Sequence, residues 1–230
     1  MPPPPRALLF DLDGVLVDSR AAIAASINHA LRRLGLPPAP EASLYRFIGP
    51  PLAAAFRTLL AELGADPEDA PRAVALYRER YRDRCVAETP LVPGVREALG
   101  ALHGRLPLAV ATSKPVAFAE PILRARGLAD LFECIEGPSL DPAGEPKATT
   151  VGRALRRLGL EPLAPGEAVL VGDRRHDAEA ARAHGLVPVG VAWGIGSEAE
   201  LREAGAVRIL RTPVELEELA AGVDRPGGAA

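Results

Sequence analysis

The residues best suited to chemistry in this chain stand directly behind short apolar runs. Leu8-Leu9-Phe10 ends at Asp11, and Asp13 and Gly14 follow at once. Three consecutive apolar residues fit a strand buried on both faces of a parallel sheet. Ligands of open α/β sheets sit outside the carboxyl ends of the strands, so Asp11 and Asp13 are expected at the mouth of a site. Two carboxylates this close repel each other. A divalent cation relieves the repulsion, and hard oxygen donors suit Mg²⁺. Gly14 tolerates a positive φ and lets backbone approach a ligand. A solvated turn is the plain alternative. A calcium loop is excluded, because its twelfth position, counted from Asp11, is Ala22 and not Glu.

The same punctuation recurs downstream. Thr112 ends the run Pro107–Ala111, and its hydroxyl could donate to a phosphate oxygen. Thr112 or Ser113 could instead cap the next helix, and both roles can coexist, with Thr112 on phosphate and Ser113 capping. Lys147 opens a helical stretch, where a cation opposes the helix dipole. It is one of only two lysines, with Lys114, in a chain that otherwise uses arginine. Val169-Leu170-Val171-Gly172 ends at Asp173, and Asp177 lies four residues on. Asp177 also reads as the N-cap of a helix over 178–184. His176 reads as an exposed loop residue with no second His at metal-ligand spacing.

These groups need a scaffold that gathers strand ends. Strands are expected at 107–112, 132–136, 167–172, 187–193 and 207–210, alternating with helices, one of them over 147–159. That alternation implies parallel strands with right-handed crossovers, an α/β doubly wound sheet. Residues 20–35, 51–64 and 67–86 read as helices with no strand between them. Asp66 is the N-cap and Pro67 the first helical position of the last. The chain therefore divides into a core of 1–17 and 91–230 and an inserted all-helical unit of 18–90. Residues 224–230 read as a frayed tail. The net charge of −3 offers no broad basic surface for nucleic acid. No apolar run spans a bilayer, and the N-terminus lacks the apolar stretch of a signal peptide. Two distant cysteines suggest neither disulfide nor zinc, and hence a cytoplasmic setting.

Asp11-Leu12-Asp13-Gly14-Val15, Thr112, Lys147 and Gly172-Asp173 with Asp177, in this order and each at its expected place, resemble the four motifs of haloacid dehalogenase superfamily phosphatases with a helical cap. The resemblance implies a Rossmann-like core and phosphomonoester hydrolysis with Mg²⁺. Asp11 is then the nucleophile that forms an aspartyl-phosphate, and Asp13 the general acid/base. Thr112, with Ser113 as the weaker candidate, Lys147 and the amides of Leu12 to Gly14 bind phosphate. Asp11, Asp13 and Asp173 ligate the metal; Asp177 does so through water or orients Lys147. The metal-free dehalogenases of the superfamily generally lack the second Asp, so Asp13 favours a phosphatase.

The helical insert is expected to choose the substrate. The loop Leu44–Leu52 offers Arg46, Gly49 and two aromatics, so Arg46 could grip a carboxylate or second phosphate. Equally, Tyr45 and Phe47 could be cap core and Arg46 solvated. Ile48-Gly49-Pro50-Pro51-Leu52 resembles the cap loop of the phosphoglycolate phosphatase group and of bacterial 5′-nucleotidase-like members. A sugar phosphomutase, or a silent phosphate-binding scaffold, remains open. The partner expected is a small phosphate ester, for a monomer or homodimer.

Overall fold

The computed structural model describes residues 4–140 and 145–223, so the tail expected over 224–230 lies outside the described residues. Six strands form one sheet: β1 (Ala7–Phe10), β2 (Leu108–Ala111), β3 (Cys134–Glu136), β4 (Ala168–Gly172), β5 (Val187–Val191) and β6 (Arg208–Leu210). Their order is β3-β2-β1-β4-β5-β6, with every pairing parallel. This is the doubly wound arrangement, in which the winding reverses beside β1 and leaves a crevice at the strand ends. Each expected strand is present, trimmed by one or two residues.

Successive side chains of a strand point to opposite faces, and both faces here are apolar. Leu8, Phe10, Leu108, Val110, Val169 and Val171 join one buried cluster. Ala7, Leu9, Ala109, Ala111, Ala168 and Leu170 join the other. Burial on both sides explains why β1 and β4 read as unbroken apolar runs.

Nine α-helices accompany the strands: α1 (Arg20–Arg33), α2 (Glu41–Leu44), α3 (Leu52–Glu62), α4 (Ala70–Glu88), α5 (Val95–Leu102), α6 (Val116–Ala125), α7 (Lys147–Arg157), α8 (Arg175–Ala183) and α9 (Glu198–Glu203), counted among the described residues. The smaller-residue face of the sheet packs on α7 and α8 through Val151, Leu155 and Ala181. Helices α1 to α4 form the insert between β1 and β2. Asp66 accepts a hydrogen bond from the Glu68 amide, as a cap should, although the first turn behind it, Pro67–Asp69, is 3₁₀. Helix α2, the 3₁₀ turn Tyr45–Phe47 and α9 are too short to register as a period in sequence.

The insert leaves and rejoins the core through two adjacent segments. Val17 bridges Leu91 in antiparallel fashion, the Asp18 amide donates to Pro90 O at 2.9 Å, and the Val92 amide donates to Leu16 O at 3.0 Å. Arg126 holds the returning segment by donating from Nε to Thr89 O at 2.9 Å. The insert's apolar residues, Ile27, Phe56 and Tyr81 among them, belong to the same cluster as Phe10. Phe10 is fully buried, edge-on to Phe132 with ring centroids 6.1 Å apart. Phe10→Ala is expected to lower stability by about 3–5 kcal/mol. Urea denaturation checks this, and a loss below about 1 kcal/mol would contradict the packing described.

Candidate active site

The register of the sheet sets three chain segments side by side. Phe10 pairs with Val110 on one side and Val171 on the other, so the residues just beyond them converge. The Asp11 amide continues the ladder, donating to Val171 O at 2.9 Å. The chain then turns tightly. The Leu16 and Val17 amides donate to Leu12 O at 3.0 and 3.1 Å, and the Gly14 amide donates to Val17 O at 2.8 Å. Gly14 takes φ +84°, and a Cβ there would overlap the Asp173 carboxylate. Glycine is required on both counts: a left-handed backbone and a close carboxylate. The Gly14 amide, expected to face phosphate, is thus engaged by Val17, whereas the Leu12 amide has no acceptor among the described residues.

Asp173 is fully buried behind β4. Its Oδ2 accepts from the Ile195 amide at 2.7 Å, and its Oδ1 is buried with no hydrogen-bond partner. Asp177 lies inside α8 rather than ahead of it, because the helix starts at Arg175, so it is not the N-cap expected from sequence. Its Oδ2 accepts from the Asp173 and Arg174 amides at 3.0 and 2.9 Å, which satisfies the helix start from the third position. A Cβ on Gly172 would overlap Asp177, so this fold-back requires the glycine before Asp173. The other oxygen of Asp177 faces Lys147.

Lys147 is the first residue of α7, where the helix dipole disfavours it. Its Nζ pairs with Asp11 Oδ1 at 2.8 Å and with Asp177 Oδ1. Burial draws the ammonium pKa down, but the two carboxylates outweigh it and hold the group charged, above its ordinary value. Asp173 moves the other way: burial, then the charges of Asp177 and Asp11, push its carboxyl well above the carboxylate range. Asp177 is likewise raised, chiefly by burial.

Oxygens of Asp11, Asp173 and Asp177 all lie within 4.8 Å of one another. Three buried carboxylates share one ammonium, so negative charge is left uncompensated. With an orphaned buried Asp173 Oδ1 and an all-oxygen donor set, the residues fit a hard divalent cation.

This cluster forms one wall of a cavity of about 380 Å³ between the sheet ends and the insert. Thr112, Ser113, Lys114 and Lys147 line it from the core, and Ile48, Gly49 and Tyr77 from the insert. A family model described as haloacid dehalogenase-like hydrolase matches residues 8–191.

The chain belongs to the haloacid dehalogenase-like hydrolases.

Its relatives in the family span nearly its whole length. A 5′-nucleotidase of Pseudomonas aeruginosa is 41% identical over 196 residues, covering 85% of this chain and 86% of that one. A tyrosine-protein kinase, PtkA, of Mycobacterium tuberculosis is 37% identical, covering 94% of this chain and 71% of that one. A phosphoglycolate phosphatase of Chromobacterium violaceum is 32% identical over 93% of this chain and 96% of that one. A crystal structure of a predicted phosphatase from Clostridium acetobutylicum superposes with TM-score 0.83 at 33% identity, over 93% and 96% of the two chains.

One member of the site escaped the sequence reading. Lys114 is buried, and its Nζ pairs with Asp13 Oδ2 at 2.8 Å and donates to the Tyr81 hydroxyl of α4. Tyr81 is stacked on Tyr77 at 5.1 Å and fully buried. The signal available was the lysine itself, one of two in an arginine-rich chain. Its amide donates to Thr112 Oγ1 at 3.1 Å, which leaves the Thr112 hydroxyl proton free for another acceptor. Asp13 Oδ1 is buried without a hydrogen-bond partner.

Other expectations are corrected. Ser113 does not cap α6: the helix starts at Val116 behind Pro115, with no side-chain cap. His176 is not in a loop but in the first turn of α8, and it lines the cavity. The structure does not bring Arg46 to the cavity. Its guanidinium pairs with Glu62 and lies over the Phe47 ring at 4.5 Å. Gly49 does line the cavity, with φ +107° and the Arg174 side chain beside it. Arg174 reaches across from the core, donating to Ile48 O and pairing with Glu200 at 3.0 Å.

Two outcomes follow. Adding Mg²⁺ or Mn²⁺ to EDTA-treated protein is expected to raise Tm by about 5–10 °C at saturating metal. Asp173→Asn should abolish the shift; a full shift in that variant would remove Asp173 from the metal site. Lys114→Met should lower kcat toward phosphomonoesters on the order of 10²-fold by freeing Asp13 from its position. Steady-state kinetics on the folded variant would refute this by showing wild-type turnover.

Proposed function

We propose that the chain is a Mg²⁺-dependent phosphomonoesterase that works through an aspartyl-phosphate on Asp11. The observation that carries the reading is the division of labour between the two carboxylates of the first loop. Asp11 is paired with Lys147, and Asp13 with Lys114, and both stand in one cavity with a buried acidic cluster. Asp11 attacks phosphorus in line with the leaving oxygen, which takes a proton from Asp13. Asp13 then removes a proton from water, whose oxygen attacks the phosphorus and regenerates Asp11. Lys147 offsets charge on Asp11 and on the phosphoryl oxygens, and the Thr112 hydroxyl and Leu12 amide donate to those oxygens. Asp11, Asp173 and the Asp13 carbonyl would hold Mg²⁺, with Asp177 reaching it through water or steering Lys147, and the ion would supply charge compensation for the transferred group.

Residues 18–90 act in this reading as a cap over the core of 1–17 and 91–230. The sequence comparisons support two substrates, phosphoglycolate and nucleoside 5′-monophosphates. The cavity, of about 380 Å³ with Phe47, Tyr77 and Phe118 as apolar walls, is large enough for either. No helix among the described residues is long and apolar enough to cross a membrane.

Asp11→Asn should abolish p-nitrophenyl phosphate hydrolysis while leaving the circular dichroism spectrum intact. Activity within tenfold of wild type would remove Asp11 as nucleophile. EDTA should stop the wild-type reaction and added Mg²⁺ restore it; release of p-nitrophenol indifferent to both would favour a different chemistry.

A further inference from the structure

One cationic side chain of the cavity is answered by no carboxylate among the described residues. Among the described residues, the cavity's cationic side chains are Lys114, Lys147, Arg174 and Arg78, with His176 beside them. Lys114 is held by Asp13, Lys147 by Asp11 and Asp177, and Arg174 by Glu200. His176 has Glu179 at 3.6 Å. Arg78, on α4 of the insert, has no carboxylate partner among the described residues. Its Nη1 donates to Leu140 O at 2.8 Å, while its Nε is buried with no hydrogen-bond partner.

The cavity's remaining acids do not compensate it. Glu145 is gripped by Arg153 at 2.9 Å, and Glu179 is paired with Arg175 at 3.1 Å. A buried guanidinium nitrogen without an acceptor is unfavourable, and an arginine that merely covered the surface would keep it in water. The one carbonyl contact anchors the side chain by one terminal nitrogen and leaves the Nε edge of the planar fork for another acceptor. That edge matches an oxyanion in two parallel hydrogen bonds, a geometry lysine cannot offer.

We propose that Arg78 is a specificity residue that binds a second oxyanion on the substrate, a carboxylate or a further phosphate, at the end remote from the phosphoryl group being cleaved. Resting on the phosphomonoesterase reading, this moves the anion-reading role expected of Arg46 to a different cap element. Arg46 is already neutralised by Glu62 outside the cavity, whereas Arg78 lines the cavity and has no counter-charge among the described residues.

The test compares matched substrates on wild type, Arg78→Met and Arg78→Lys. One pair is 2-phosphoglycolate and its neutral carboxamide; the other is a nucleoside 3′,5′-bisphosphate and the corresponding 5′-monophosphate. Wild type should favour the member with the extra anion by roughly tenfold or more in kcat/KM in at least one pair. Arg78→Met should erase that preference, mainly through KM, with the less charged member and p-nitrophenyl phosphate little affected. Arg78→Lys should recover part of it. The responding pair tells carboxylate from phosphate. Equal rates within both pairs in wild type would overturn the proposal. So would an equal loss on both members in Arg78→Met, the mark of a structural tie to Leu140. p-Nitrophenyl phosphate separates the two failures: no metal-dependent hydrolysis of it by wild type defeats the phosphomonoesterase reading itself, whereas hydrolysis without any anion preference defeats only the role of Arg78.

Discussion

Crowding of negative charge at the end of β1 and β4 is the constraint to which the rest of the structure answers. Asp11, Asp173 and Asp177 bring their oxygens within 4.8 Å of one another in a buried setting. Each would repel the others and lose hydration, and one ammonium cannot offset three carboxylates. The surrounding architecture manages this load. Backbone amides of residues 173, 174 and 195 take up one oxygen from each of Asp177 and Asp173. Lys147 bridges the remaining oxygens of Asp11 and Asp177. What is left over, an unpaired Asp173 Oδ1, is the position a divalent cation would complete. Glycines 14, 172 and 194 are the steric counterpart, since a Cβ on any of them would overlap Asp173 or Asp177.

The second carboxylate of the first loop is handled separately. Asp13 does not join the acidic cluster; it faces Lys114, and Lys114 also meets Tyr81 of the insert. The Asp13 carboxylate is therefore tied through Lys114 to Tyr81 on a helix of the insert. A second tie, Arg174 to the Ile48 carbonyl, runs from the residue after Asp173 to the cap loop. Both ties start beside residues of the candidate site and end on the insert. The antiparallel junction of Val17 and Leu91 is narrow, and the contacts across the cavity add to the hold it provides.

The strand ends of this chain were legible because two-sided burial writes itself into sequence. An apolar run closed by Asp or Thr marks both a strand and the place where it stops, and parallel strands gather those places at one edge. Asp11, Thr112 and Asp173 could be located from that pattern, and Lys147 from its awkward place at a helix start. Periodicity also located α1, α3 and α4, but not the single turn α2 or the short α9, which are too brief to carry a period. The capping role expected of Ser113 is not realised because the helix after β2 begins at Val116, beyond Pro115.

Sequence by itself therefore determined the layered α/β class, the helical insert and the carboxylates that meet at the sheet edge, because each depends on local period and on the sidedness of strands. Which charges answer which was decided only by tertiary structure. Helix α4 carries Arg78, Arg80, Arg82 and Arg84 at alternate positions, which fall on different sides of the helix. Packing against α1, where Arg80 meets Ser26 at 3.1 Å, rotates Arg78 toward the cavity. In the same way Arg46 finds Glu62 and Lys114 finds Asp13, residues far apart in the chain. Such pairings depend on the azimuth of a helix and the height of a loop to within an ångström or two, and composition and spacing do not encode either.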